Sequence, residues 1–107
     1  MADLDWNKEF ALEQADDDAA LLGELLDIFK DSMISDLAAM KTGMDAGNAA
    51  QACEAAHSVK GAALSLGIVG ISDVALAIEK DCRAGSLEIC KKKYPLLLEL
   101  QEELKKL

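Results

Sequence analysis

His57 is the only histidine in the chain, and Lys60 and Gly61 follow it at helical spacing. Positions i, i+3 and i+4 lie on one face of a helix, so the lysine brings a positive charge near the imidazole and the glycine leaves space beside it. Glycine inside a helix costs about 1 kcal/mol relative to alanine. Its presence there needs a reason, and one reason is access, so that another molecule can approach the ring closely from that side. An accessible imidazole beside a cation suits a histidine that carries a phosphoryl group.

Two simpler interpretations of His57 remain open, a boundary histidine with no role and a core histidine held by a neighbour. Helical periodicity places His57 about 120° from the centre of the apolar stripe of its helix, at or beyond the core boundary. Lys60 lies about 60° from that centre, so we expect its stem to lie along the bundle and its ammonium to extend into solvent. The lysine and the glycine favour a functional site, but they do not by themselves select phosphorylation.

Other chemistry has little support in the sequence. Cys53 stands four residues before His57 and could form a thiol–imidazole pair, but its place on the apolar stripe favours a packed thiol. One histidine and three cysteines without a C-x-x-C pair supply no recognised metal-ligand spacing. The glycines after Leu66 form neither a dinucleotide fingerprint nor a P-loop. We therefore expect no metal and no cofactor.

Composition favours an all-α chain that forms one domain over residues 1–107. The chain is 51% hydrophobic but only 4% aromatic, with one proline, which predicts an aliphatic core. The net charge of −9 argues against nucleic acid, because residues 91–93 are the only dense basic run. The polar start of the chain and the lack of an apolar run near ~18 residues predict neither a secretory signal nor a membrane span. Together with an odd number of cysteines, read as reduced thiols, this predicts a cytoplasmic protein.

Apolar periodicity and capping residues predict five helices, over residues 6–14, 17–45, 48–66, 72–83 and from about 86 onward. Ser72 is the expected N-cap of the fourth helix, and Pro95 should kink or split the fifth. The predicted core stripe of the longest helix contains Leu21, Leu22, Leu25, Ile28, Phe29, Ser32 or Met33, Leu37 and Met40. Short loops between the last three helices predict antiparallel neighbours. The expected fold is an antiparallel up-down four-helix bundle, with the short first helix packed across one end.

The segment that begins at His57 resembles the signature of the histidine phosphotransfer (Hpt) domains of two-component phosphorelays. The family motif is approximately H-x-[LVI]-K-G-[SA]-[SAG]-x-x-[LIF]-G. Every diagnostic position is filled, by His57, Val59, Lys60, Gly61, Ala62, Ala63, Leu66 and Gly67. Similarity over residues 18–29, at Gly47-Asn48 and in the closing helix extends the resemblance over nearly the whole chain. The motif is specific, and the flanking similarity is supportive.

The resemblance implies a site as well as a fold. His57 would be an exposed phosphoacceptor that reacts through Nε2, Lys60 would screen the phosphate charge, and Gly61 would leave room for a receiver domain. Many members have a glutamine 22 residues after the histidine, where this chain has Glu79, as some chemotaxis-kinase members do. Glu79 should accept a hydrogen bond from Nδ1–H of His57. Leu64 shares the His57 side of the helix, so we expect it in the docking face.

The implied function is that of a phosphocarrier without kinase activity of its own. Its partners would be the receiver domains of response regulators, which supply the aspartate and the magnesium, and a hybrid histidine kinase where the pathway has one. A different class of function is a helical module that binds a regulator or kinase without being phosphorylated; the presence of His57 favours the carrier. We expect a monomeric, stand-alone protein, and Met1 with the complete helix set argues mildly against a piece of a hybrid kinase.

Overall fold

The computed structural model of the chain describes residues 2–107, and its regular structure is helical. Its five helices are α1 Lys8–Gln14, α2 Ala19–Asp45, α3 Ala49–Ser65, α4 Val69–Arg83 and α5 Glu88–Lys105. The last four form a closed ring in which α3 packs on α2 and α4, and α5 packs on α4 and α2. The predicted all-α, up-down four-helix bundle with an additional short helix is confirmed. No helix within residues 2–107 is long and apolar enough to cross a membrane.

Side-chain caps explain where the first two helices begin. The Asn7 side chain accepts a hydrogen bond from the backbone N–H of Phe10, so α1 begins at Lys8 and the predicted start at residue 6 is two residues early. The Asp18 carboxylate likewise accepts from the N–H groups of Ala20 and Leu21 at the start of α2. These contacts satisfy amides that have no partner within the helix.

The first turn of α4 is satisfied by backbone instead of by a side-chain cap. The N–H groups of Val69 and Gly70 donate to the carbonyls of Asp5 and Leu4, at 3.3 and 2.8 Å. A Cβ on Gly70 would lie 2.8 Å from the Leu4 carbonyl oxygen, so glycine permits this close approach. The prediction that Ser72 caps α4 is therefore wrong. Ser72 lies inside the helix, and its hydroxyl bonds to the Val69 carbonyl.

The core is aliphatic, and the buried face of α2 differs in part from the predicted stripe. Ile28 is 64% exposed, whereas Leu26, which the predicted stripe omits, is buried. Leu26 and Phe29 continue the line that leads to Met33, while Ile28 lies about 100° around the helix from Phe29. The buried residues of α3 are small: Ala52, Ala55, Ala56, Val59 and Ala63. Their size allows the neighbouring helices to pack close to α3.

Pro95 lies inside α5, which continues unbroken from Glu88 to Lys105. The ring is exposed to solvent, so the carbonyl four residues earlier can bond to water when the proline offers it no N–H. The predicted split of the last helix therefore does not occur. The helix begins at Glu88, whose N–H donates to the Ser86 hydroxyl at 3.2 Å.

Candidate functional site

His57 lies midway along α3 and projects from the bundle, with 67% of its side chain exposed. Its Nδ1 lies 2.7 Å from Oε2 of Glu79 on the neighbouring helix α4. The other ring nitrogen, Nε2, makes no hydrogen bond to any residue in the range 2–107. One edge of the imidazole is thus held by the protein, and the ring is otherwise open to solvent.

Glu79 is the only charged side chain that is buried among residues 2–107, with 1% of it exposed. Two cations neutralise it: Lys60 Nζ lies 2.6 Å from Oε1 and Arg83 Nη2 lies 2.7 Å from Oε2. The contact with the Lys60 ammonium is the largest influence that lowers the pKa of the Glu79 carboxyl, against the opposing effect of burial. The carboxylate is therefore ionised at neutral pH.

The charge of Glu79 determines the tautomer of His57. An ionised carboxylate can only accept hydrogen bonds, so Nδ1 of the imidazole must be the donor. In a neutral ring this leaves the lone pair on Nε2, the nitrogen without a protein partner. In the neutral ring, the pairing of His57 with Glu79 thus leaves the nitrogen without a proton at the exposed position.

Lys60 does not extend into solvent as its helical position predicts. Its side chain is only 21% exposed, and its ammonium turns toward Oε1 of Glu79, which has no hydrogen-bonding partner of good geometry. A buried carboxylate is stable only with a compensating charge, which explains the inward turn of the lysine. Lys60 is therefore already paired in the structure, and it does not stand free beside the ring.

The sequence interpretation missed Arg83. Its guanidinium is 68% exposed and bonds to the same carboxylate oxygen that holds Nδ1 of His57. The available signal was its position four residues after Glu79 on one helix, a spacing at which opposite charges meet. That spacing is common on solvated helix surfaces and would not by itself have indicated a site.

Gly61 and Leu64 follow His57 along the exposed side of α3. A Cβ on Gly61 would meet no atom within 4 Å, so nothing in the described residues requires a glycine there. Leu64 is 54% exposed, and its side chain does not contribute to the buried core. Both placements are those that the sequence predicts, and the docking role of these residues remains a prediction.

An open groove of about 740 Å³ lies beside the ring, between α3 and the C-terminal part of α4. Its lining contains His57, Glu79 and Arg83 together with small residues and Cys53. The Cys53 thiol donates a long hydrogen bond to the Glu79 backbone carbonyl, at 3.8 Å. All three cysteines are free, and burial raises the pKa of Cys82 to about 12. Within residues 2–107, no cluster of three or more metal-binding side chains occurs.

Comparison with known proteins identifies the family. A family model described as the Hpt domain matches residues 24–107 of the chain. The chain belongs to the Hpt domain family. The matched residues hold the whole site around His57, and only residues before 24, among them α1, lie outside the match. No curated protein sequence gives a significant match to this Hpt domain.

A solved structure supports the same conclusion. The crystal structure of the HPT domain from the Hpt sensor hybrid histidine kinase from Shewanella has a TM-score of 0.72 to this Hpt domain, with 25% sequence identity. The alignment covers 97% of this chain and 88% of that chain. Hpt domains form a phosphocarrier family and interact with response-regulator receivers and with kinases. Histidine phosphotransfer is therefore the family role of this domain.

Proposed function

We propose that this Hpt domain accepts a phosphoryl group on Nε2 of His57 from a receiver-domain aspartate and passes it to a second receiver. One observation carries the proposal: Nδ1 of His57 is bonded to buried Glu79, while the ring is 67% exposed. This arrangement combines a defined tautomer with access for a large partner. A histidine held on both nitrogens, or buried in the core, would lack one of the two.

The chemistry of the step follows from the tautomer. The lone pair of Nε2 attacks the phosphorus in line, the N–P bond forms, and the bond from phosphorus to the aspartyl oxygen breaks. The leaving carboxylate takes the electron pair of that bond. No proton has to be removed from Nε2 before the attack, because in the neutral ring the proton is on Nδ1.

Glu79 stabilises the ring during this step. Attack through Nε2 leaves the imidazole with a positive charge while Nδ1–H stays hydrogen-bonded to Oε2 of Glu79. A fixed carboxylate 2.7 Å away favours that charge and needs no rearrangement when it develops. In the reverse direction the same charged ring is a good leaving group, so one geometry serves both acceptance and donation.

The proposed partners follow from the exposed side of α3. Gly61 leaves the space beside the ring empty, and Leu64 offers a small apolar contact of the kind found at the centre of protein interfaces. In our proposal a receiver docks there and supplies the aspartate and magnesium. We further propose that residues 1–107 act as one monomeric module in the cytoplasm, where free thiols such as its three are maintained.

The test is phosphoryl transfer from a panel of labelled, phosphorylated receiver domains to the wild-type chain and to His57→Gln. We expect label on the wild type alone, lost in acid and retained in base as a phosphoramidate requires. The matched control is Ser58→Ala, which removes the neighbouring hydroxyl that bonds to Asp36 and should leave labelling intact. Label on His57→Gln at the wild-type level would refute the assignment. Receiver binding without label on the wild type would indicate an interaction module instead.

A further inference from the structure

The two cations that neutralise Glu79 occupy different environments. Lys60 is 21% exposed and contacts Oε1, which has no other close partner among residues 2–107. Arg83 is 68% exposed and contacts Oε2, the oxygen that also holds Nδ1 of His57. The lysine is therefore largely enclosed at the inner oxygen, and the arginine is an exposed surface group next to the imidazole.

We propose that Arg83 is the residue that contacts the phosphoryl group as it moves to and from His57, while Lys60 stays on Glu79. This inference rests on the proposed function and divides the tasks of the two cations. It assigns the phosphate contact to a residue outside the motif that surrounds His57, and it gives Lys60 a role in holding the charge of Glu79.

The cost of releasing each cation favours Arg83. If Lys60 moved toward the phosphoryl group, Oε1 of Glu79 would be left buried without any partner, which is strongly unfavourable. If Arg83 moved, Oε2 would keep the hydrogen bond from Nδ1 of His57. The arginine can thus leave the carboxylate without leaving the buried charge of Glu79 unpaired.

Phosphorylation itself favours this movement. Once Nε2 carries the phosphoryl group, the ring is positively charged and its Nδ1–H shares Oε2 with the guanidinium, so two cations compete for one oxygen. At the same time a group with two negative charges appears on the exposed side of the ring. The guanidinium has five N–H donors, of which one is used on Glu79, and its planar fork matches phosphate oxygens.

The negative charge near the ring gives an exposed cation a function. Glu54 lines the same groove as His57 and Arg83, and its carboxylate would repel an incoming phosphoryl group. Arg83 is the cation that lines this groove. A guanidinium that turns from Glu79 to the phosphoryl oxygens would offset this repulsion at the point where the negative charge is transferred.

The experiment compares wild type, Arg83→Gln, Arg83→Lys and Lys80→Gln in transfer from a phosphorylated receiver at low and high salt. Lys80 is exposed on the same helix, so its variant is the control for the loss of one positive charge. We expect Arg83→Gln to slow transfer about tenfold, a small loss for a charged donor because the side chain is exposed and screened by salt. Arg83→Lys should recover much of the rate, Lys80→Gln should match wild type, and the defect should shrink at high salt.

A second measurement separates a phosphate contact from an effect through Glu79. The wild type is phosphorylated with phosphoramidate, and NMR follows the Nε–H signal of Arg83 and the ring nitrogens of His57. We expect the Arg83 signal to shift on phosphorylation, and we expect Arg83→Gln to keep the Nδ1–H tautomer of the unphosphorylated ring. The direct observation on wild type does not depend on the folding of any variant.

The outcomes distinguish this inference from the function on which it rests. No label on wild-type His57 from either donor would refute the proposed function. Normal labelling with wild-type rates in Arg83→Gln and an unchanged Arg83 signal would refute the arginine contact alone. Loss of the Nδ1–H tautomer in Arg83→Gln would also overturn it, because the arginine would then act by positioning Glu79.

Discussion

Replacing Lys60 with methionine tests whether the buried charge of Glu79 depends on its inner partner. Methionine keeps most of the apolar stem, but it leaves Oε1 buried with no donor in the range 2–107. An unsatisfied buried polar group costs about 1–3 kcal/mol, and breaking a buried ion pair costs about 3–5 kcal/mol. Oε2 keeps its two donors, which limits the loss. We therefore expect a decrease of about 2 kcal/mol in the free energy of unfolding.

The assay is equilibrium unfolding in urea at pH 7, followed by circular dichroism. With a slope near 2 kcal/mol per molar urea, the midpoint should fall by about 1 M. Lys80→Met is the matched control, because Lys80 is exposed on α4, and its midpoint should barely change. In a Glu79→Gln background the Lys60 change should cost much less, since no charge is left unpaired.

The pH dependence supplies the second part of this test. The pKa of Glu79 is lower in the folded protein than its ordinary value of 4.5, chiefly through Lys60. The stability from this pairing is fully present above that ordinary value and is lost as the pH falls through the lower folded value. Glu79→Gln should therefore show a weaker loss of stability between pH 5 and pH 3. If Lys60→Met had both the urea midpoint and the acid profile of the wild type, the dependence of the buried Glu79 charge on Lys60 would be refuted.

Two further predictions concern the exposed side of α3. Gly61→Gln should raise the free energy of unfolding in urea by about 0.5–1 kcal/mol, because it replaces an open helical glycine, yet slow phosphoryl transfer from a receiver at least tenfold. The control is Gly23→Gln, at an equally open position in α2, which should stabilise the fold without slowing transfer. Normal transfer by the Gly61 variant would exclude a steric role. Leu64→Asp should weaken receiver binding about tenfold in calorimetry with little change in stability. The control is Leu98→Asp on α5, which should bind the receiver as the wild type does. Binding by Leu64→Asp at the same affinity as this control would place the interface elsewhere.

The helices themselves could largely be predicted, because each depends on nearby residues. Apolar spacing and the acidic residues 16–18 locate α2 to within two residues of its observed bounds, and the small residues of α3 indicate close packing. The start of α4 could not be predicted in this way. Its first amides bond to carbonyls of residues 4 and 5, so its boundary depends on a segment more than 60 positions away. Ser72 is a residue type that often caps helices, but α4 begins three residues earlier, at Val69.

The site was predictable only where a motif connects positions that packing brings together. The motif and its 22-residue offset indicated both His57 and Glu79, and the structure places them 2.7 Å apart across two helices. Helical angles alone predict that the Lys60 ammonium extends into solvent, because they consider α3 without its neighbouring helices. The carboxylate that draws the lysine inward belongs to α4 and is buried only once the two helices pack.

The charges around Glu79 link the stability of this domain to its chemistry. A buried carboxylate needs a permanent counter-charge, and Lys60 is enclosed enough to provide it. With that charge balanced, the hydrogen bond from Nδ1–H to Glu79 can orient the imidazole, and in our proposal Arg83 leaves Glu79 to contact the phosphoryl group. Lys60 variants should therefore affect unfolding more than Arg83 variants do, and Arg83 variants should affect transfer at little cost in stability. The opposite pattern would mean that Arg83 balances the charge of Glu79 and that Lys60 contacts the phosphoryl group.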